Sequence, residues 1–475
     1  MELKVREKIV AELEKIVGAE HVSTALSDLY SYSQDMTENE PSWPDCVVMP
    51  GSVEEVQEIL RLANREKVPV IPIVGGANIG GLTIPLEGGI SLDLRRMDRV
   101  IELNEEDMYV ILEPGVTFGH LARYLDKNCP QLTYSYPAAP PHTSVMCNAL
   151  LMGMGGMMLT VGANFDNING MEVVLPTGEV VKIGSCSVSP YWFSRAPLPD
   201  VGGLFVGWQG TTGVVTKIAV QLWPKPRHAE LMALFTYDIG TTFRFMRRIA
   251  RTGVVDGVSA IPFNGLMVHQ ARIRGPVEKN PGEPEFSVAI TTSAYNEDLM
   301  RAKAAARDEI IAEEFKDTQV TPMPVPDVGL AGDNIRHLIR GSIEYMGGVT
   351  WMGTFCPTSK WEEATVKVNK LFDKYKLINY GAYAPLRGGH FGMWRPIVGF
   401  NKDDPDELDR TRKFMRECGA MALDMGFVPY KASYWAVQAM MERGDPNWVE
   451  LLRRVKKMLD PNNIMNPGRY GAPGE

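Results

Sequence analysis

The chain has 475 residues, 45% of them hydrophobic and 23% charged, with a formal net charge of −9. That length is more than one hydrophobic core supports, so two or three domains are expected. The acidic balance argues against general nucleic-acid binding, which needs a basic surface, yet leaves room for a local basic pocket. Cys46, Cys129, Cys147, Cys186, Cys356 and Cys418 are scattered, with no C-x-x-C pair. The expectation is therefore reduced thiols, a cytoplasmic location and no disulfide framework or metal site.

The opening "MELKVREKIVAELEKIVG" places apolar residues at helical spacing and reads as an amphipathic helix, not a signal peptide. In "CVVMPGSVEEVQEILRLANREKVPVIPIVGG" a short strand and a Pro50-Gly51 turn precede a helix. Ser52 is its N-cap, and Glu54 and Glu55 suit the positive end of the helix dipole. A second strand, 68–74, runs into Gly75, Gly76, Gly80 and Gly81, with no charge between Lys67 and Glu87. "ISLDL", "VIEL" and "MYVILEPGV" read as short strands, and Thr117 caps a helix through "FGHLARYL".

Residues 130–165 carry no formal charge but hold Pro137, Pro140, Pro141 and four glycines. An unbroken membrane helix does not fit that composition; a buried loop region beside a large ligand does. "GMEVVLPTGEVVKIG" predicts a hairpin and "GVVTKIAVQLWPKP" a strand. From 230 to 430, strand-like runs (233–237, 286–292, 348–354) alternate with polar helices (299–315, 360–375, 405–425), which indicates a second α+β domain with a Pro-rich loop at 321–329. A last helix, 447–459, precedes "DPNNIMNPGRYG".

Successive bare amides in a glycine loop can form an anion nest. This one lacks the Gly-Lys-Ser/Thr of a Walker loop and does not open a helix as a dinucleotide fingerprint does. Alone, it reads equally as a phosphate cradle or as a bend between strands.

Taken together, "PVIPIVGGAN", "LEPGVTFGHL", "GMEVVLPTGEVVKIG", "GLFVGWQGTTGVVTKIAVQLWPKP" and "DPNNIMNPGRYG" resemble the flavoprotein family that includes vanillyl-alcohol oxidase and 4-cresol dehydrogenase. Glycolate and D-lactate dehydrogenase flavoproteins are more distant relatives on this reading. The resemblance implies an α+β fold: a PCMH-type FAD-binding domain of two α+β subdomains (1–226), an α+β cap domain with an antiparallel sheet (227–427), and a C-terminal segment (428–475) returning to the first. It implies FAD, held by Gly75, Gly76, Ala77 and Asn78 at the pyrophosphate, by Ser144, Asn148 and Gly153 in the uncharged segment, by Gly213 and Val214 at the adenosine end, and by Asn466.

This sequence has Met146-Cys147 where relatives commonly have Gly-Gly. Val349 stands where vanillyl-alcohol oxidase links its flavin through histidine, and Tyr345 is only near the linking tyrosine of 4-cresol dehydrogenase, so non-covalent FAD is expected. Tyr430-Lys431 resembles the Tyr-Arg pair that holds a phenolate oxygen in the phenol-oxidising relatives. Arg387 and His390 match an Arg-x-x-His stretch near their flavin. His390 is then a candidate general base and Arg387 a carboxylate anchor. Ala163 and Ile79 replace two phenol-specific groups.

The expectation is a dehydrogenase, rather than an oxidase, taking a hydride from an alcohol or benzylic carbon onto flavin N5. A 2-hydroxy-acid dehydrogenase and the flavin subunit of an electron-transfer complex are the alternatives. Partners would be a small-molecule substrate, an electron-acceptor protein subunit and further subunits of a homo- or hetero-oligomer, with no nucleic acid and no membrane span.

Overall fold

Residues 7–77, 79–271, 280–323 and 347–470 are described by a computed structural model. Asn78, Tyr345 and most of the 321–329 loop lie outside the described residues. The N-terminal helix Glu7–Val17 buries Ile9, Leu13 and Val17, one face at fourfold spacing. Helix Val53–Glu66 is capped as expected: Ser52 Oγ accepts from the Glu55 amide at 3.2 Å.

Strands Cys46–Val48, Ile90–Asp93 and Val70–Ile73 form the parallel part of a four-stranded sheet, with Val22–Ser23 antiparallel at one edge. The glycine loop leaves the end of Val70–Ile73, and the chain re-enters the sheet as Ile90–Asp93. A second, antiparallel sheet has the order Val100–Asn104, Tyr109–Leu112, Val214–Gln221, Ile168–Val174, Val180–Gly184. Its last two strands are the expected hairpin, with Gly170 opposite Gly184.

The uncharged 130–165 stretch holds a two-residue strand, Leu132–Thr133, and two short helices, Val145–Leu150 and Met158–Val161. No helix among the described residues is long and apolar enough to cross a membrane.

From His228 onward the chain builds an eight-stranded antiparallel sheet in the order Val320–Met323, His228–Thr236, Phe286–Ala294, Gly257–Pro262, Ala382–Leu386, Phe391–Arg395, Thr354–Cys356, Val428–Pro429. Helices Ile239–Ala250, Trp361–Tyr375 and Pro405–Asp424 contribute to one core with it, around Phe243, Trp361, Tyr383, Trp394 and Phe414.

Three details differ from the sequence reading. The run at 348–354 is two strands in two sheets, Gly347–Trp351 and Thr354–Cys356, because the chain breaks at Gly353 against the Tyr430 ring. Thr321 and Pro322 belong to a strand rather than a loop. Val428–Pro429 still pairs in the large sheet, and Trp435, Ala436 and Val437 of helix Tyr434–Arg443 sit in its core. On sheet membership we propose that the first division falls near 226 and that the return begins near 445 rather than at 428.

Helix Pro446–Leu459 makes that return. Lys456 is buried and donates to the Thr211 carbonyl at 2.7 Å and to the Met465 carbonyl at 3.0 Å. Its counter-ion, Asp460, also accepts from the Ile464 and Met465 amides. The segment then pairs beside Val70: the Val70 amide donates to Ile464, and the Asn466 amide donates to Val70.

Removing one member of a buried pair leaves the other charge stranded. Asp460→Ala should therefore lower stability by about 3–5 kcal/mol in chemical denaturation followed by circular dichroism. The double variant Asp460→Leu/Lys456→Met should lose less than the single one, and an equal loss would contradict the pairing.

Candidate active site

Both smaller sheets and the uncharged segment meet around one cavity. Gly75, Gly76 and Ala77 line one wall, Ser144, Met146, Cys147 and Asn148 a second, and Gly213 and Val214 a third. Gly76 has φ +63°, with nothing within 4 Å of where a Cβ would stand, so its backbone is bare. Ser144 caps Val145–Leu150: its Oγ accepts from the Cys147 amide at 3.2 Å and donates to the Pro114 carbonyl at 2.6 Å.

Gly153 and Asn466 serve the cavity from behind. A Cβ on Gly153 would fall 2.2 Å from Asn148 Oδ1, so the glycine makes room for that side chain. Asn148 Oδ1 accepts from Asn164 at 2.8 Å. Asn466 Nδ2 donates to the Leu82 and Gln209 carbonyls, at 3.2 and 2.8 Å, while its Oδ1 is buried with no partner among the described residues. Buried Arg469 donates to the Gly81 carbonyl, which ties the C-terminal segment to the glycine loop.

Lys431 enters this cavity from the cap side. It follows strand Val428–Pro429 with φ +49°, and its carbonyl lies where a Gly80 Cβ would be, at 2.3 Å. Among the described residues its ammonium makes no hydrogen bond or salt bridge. Burial, with Arg395 adding repulsion, lowers its pKa from 10.5 to about 8, and Cys147 opposes the shift. Lys431 also lines a second, smaller cavity, with Glu38, Gly80, Trp351 and Tyr430.

Tyr430 is buried and stacks on Phe355, with centroids 4.8 Å apart and planes 4° apart. Arg395 Nη1 donates to its hydroxyl at 3.4 Å. Burial raises the phenol pKa, and Arg395 partly offsets that.

Arg387 and His390 do not join this cluster. Both lie in the exposed turn between strands Ala382–Leu386 and Phe391–Arg395, and neither lines a cavity with Lys431. Arg387 is already committed to Asp166 and faces an open cleft with Thr160 and Arg251. The Arg-x-x-His spacing is a turn signature here: Gly388 and Gly389 take φ of +63° and +76° and carry the flanking side chains outward.

Sequence reading missed Asp35, Glu38, Trp351 and Arg395. Asp35 and Glu38 sit in a polar stretch, "SQDMTENEPS", that gives no sign of burial. Both are nonetheless enclosed, and burial raises both pKa values. Asp35 Oδ2 accepts from the Gly81 amide at 2.8 Å and fixes the glycine loop. Arg395 follows Trp394 as the last residue of a strand; its guanidinium lies 4.7 Å from the Trp351 ring centroid, and its Nε is buried without a partner.

Bare amides, uncharged walls and unpaired buried polar atoms suit a large ligand with an anionic middle. Residues 44–184 match the family described as FAD binding domain, and residues 340–470 match that described as FAD linked oxidases, C-terminal domain. The chain is 25% identical to the glycolate oxidase subunit GlcD of Bacillus subtilis over 97% of its own length and 96% of the relative's. It is 27% identical to the mitochondrial D-lactate dehydrogenase [cytochrome] of Arabidopsis thaliana (99% and 81% covered). Against the 4-cresol dehydrogenase [hydroxylating] flavoprotein subunit of Pseudomonas putida, identity is 25% (98% and 95% covered).

The hydroxy-acid enzymes are thus no more distant than the cresol enzyme, contrary to the sequence expectation. Among solved structures, p-cresol methylhydroxylase with substrate bound shares the fold with a TM-score of 0.87 at 20% identity, covering 98% of this chain and 96% of that one. The cavity's bare glycine amides and uncharged walls suit FAD, and the two matched regions cover much of the first part of the fold and the later strands of the large sheet. The chain belongs to the PCMH-type family of FAD-dependent oxidoreductases.

Proposed function

We propose that this flavoprotein takes a hydride from an alcohol or benzylic carbon, with Lys431 and Tyr430 holding the substrate oxygen on which negative charge develops. The observation that carries this reading is one buried lysine, Lys431, which lines both the cofactor cavity and a smaller cavity beside it and whose ammonium has no hydrogen-bonding partner among the described residues. FAD supplies the hydride acceptor at N5. The chain's own part is to orient, exclude water and balance charge. Lys431 is a point charge on a desolvated wall, where its pull on an oxyanion is stronger than in water. Tyr430 is held flat by Phe355 and presents its hydroxyl beside Arg395.

Gly75, Gly76 and Ala77 would offer amides to the pyrophosphate, and Ser144, Asn148, Gly213 and Val214 would line its bed. No histidine stands at Val349, whose buried side chain cannot link a flavin, so we read FAD as non-covalent.

Oxidation of a 2-hydroxy acid is the second reading. The similarity to the glycolate and D-lactate enzymes and the affinity of an ammonium for a carboxylate favour it. Anaerobic flavin bleaching by D-lactate, glycolate or benzyl alcohol separates the two. Two relatives are named as subunits, which favours a protein electron acceptor.

Lys431→Met should raise KM for a carboxylate-bearing substrate about 10- to 100-fold while changing that of a neutral alcohol far less, since a charge-assisted bond contributes about 1.5–3 kcal/mol. Equal loss on both would contradict the role. The sign of the pH effect follows from a lowered lysine pKa: the cation is present below about 8 and lost above it. Anionic-substrate affinity should then fall about tenfold per pH unit once past that value, and the Lys431→Met variant should lack this limb.

A further inference from the structure

Glu38 has no part in cofactor binding, yet it is the carboxylate of the smaller cavity. It is 3% exposed, the Thr350 side chain hydrogen-bonds to it, and its Oε2 is buried with no partner among the described residues. Arg412 Nε anchors the Glu38 carbonyl at 2.8 Å, and the Met36 carbonyl accepts from the Val349 amide at 2.9 Å, so the segment is fixed against the cap from both sides. Gly80, Trp351, Tyr430 and Lys431 line the same cavity, and Trp351 Nε1 is also unpartnered. An orphaned carboxylate oxygen in a dry site is destabilising unless a donor arrives from outside the chain.

We propose that Glu38 accepts the proton of the substrate hydroxyl while Lys431 holds the oxygen's charge. The inference rests on the alcohol-oxidation reading above and assigns its missing base. The O–H bond breaks, its proton goes to Glu38 Oε2, and its electron pair remains on oxygen to form the carbonyl. The C–H hydrogen leaves with its two electrons to the family's FAD, the oxidant. Thr350 is the positioning residue that sets the carboxylate plane.

The charged groups facing Glu38 are Asp35 on its own segment, Arg416 on helix Pro405–Asp424 and Lys402 after strand Ile397–Asn401, and Lys431 lines the same cavity. Burial raises the Glu38 pKa above 4.5, with Asp35 adding to the shift and Arg416 opposing it. The base is therefore protonated and inactive on the acid side.

The test is anaerobic reduction of the holoprotein by benzyl alcohol as a function of pH, for wild type, Glu38→Gln and Glu38→Asp. Glutamine keeps the shape and the Thr350 contact. The expected result is unchanged FAD content and melting temperature, a reduction rate about 100-fold lower or worse in Glu38→Gln, loss of the acid limb, and partial recovery in Glu38→Asp. A Glu38→Gln rate within about threefold of wild type with the acid limb intact overturns the proposal. Infrared difference spectra with bound phenol decide the matter without turnover. A carboxyl band absent from Glu38→Gln, whose titration moves when phenol binds, supports Glu38 even if no alcohol reduces the flavin, a result that would sink only the oxidation reading. A band indifferent to phenol overturns the role of Glu38 alone.

Discussion

A Cβ on Gly80 would stand 2.3 Å from the carbonyl oxygen of Lys431, so the glycine loop and the cap can meet only where the loop carries no side chain. That approach sets the rest of the site. There Lys431 takes a left-handed conformation, and the residue lines both cavities. The loop is held for this contact from both sides: Asp35 accepts from the Gly81 amide, and Arg469 donates to the Gly81 carbonyl. Arg469 also reaches Gln209 on the cavity wall. Both braces are charged residues that the sequence places far away, near the N-terminus and near the C-terminus.

Charge inside the molecule is sparse and mostly matched. Lys456 has Asp460 and two carbonyls, and Arg387 has Asp166. Lys431 and Glu38 differ: among the described residues the ammonium has no hydrogen-bonding partner and one carboxylate oxygen has none, and both residues line one small cavity. Polar groups left open there suit a ligand, since each is otherwise destabilising.

Much of the fold was legible because local signals agreed with one another. Ser52 and Thr117 cap the helices they precede, and the Pro176-Thr177-Gly178 turn closes its hairpin. The cofactor wall was legible for a different reason: glycine and uncharged residues leave a compositional gap in an otherwise charged chain. The substrate side was only half legible. Likeness points to Tyr430-Lys431 as candidates, whereas Arg387 and His390 lie in an exposed turn away from them, because spacing does not reveal which way a hairpin turn points its side chains. Glu38 gave no signal, since a charged residue in a polar stretch reads as solvated until distant segments cover it, and Arg395 gave none because a cation that closes a strand reads as its solvated end. The strand at 348–354 was misread as one because the break at Gly353 is imposed by Tyr430, a contact between residues far apart in sequence.

The central claim is that an uncharged cradle of backbone amides, with Lys431 at its edge, holds FAD without a covalent bond. Acid precipitation of the purified holoprotein tests it most directly. The account predicts a yellow supernatant containing intact FAD and a colourless pellet that, prepared instead as gently stripped apoprotein, takes the cofactor up again. Flavin retained in the pellet, or a folded apoprotein that stays colourless with excess FAD, would contradict it.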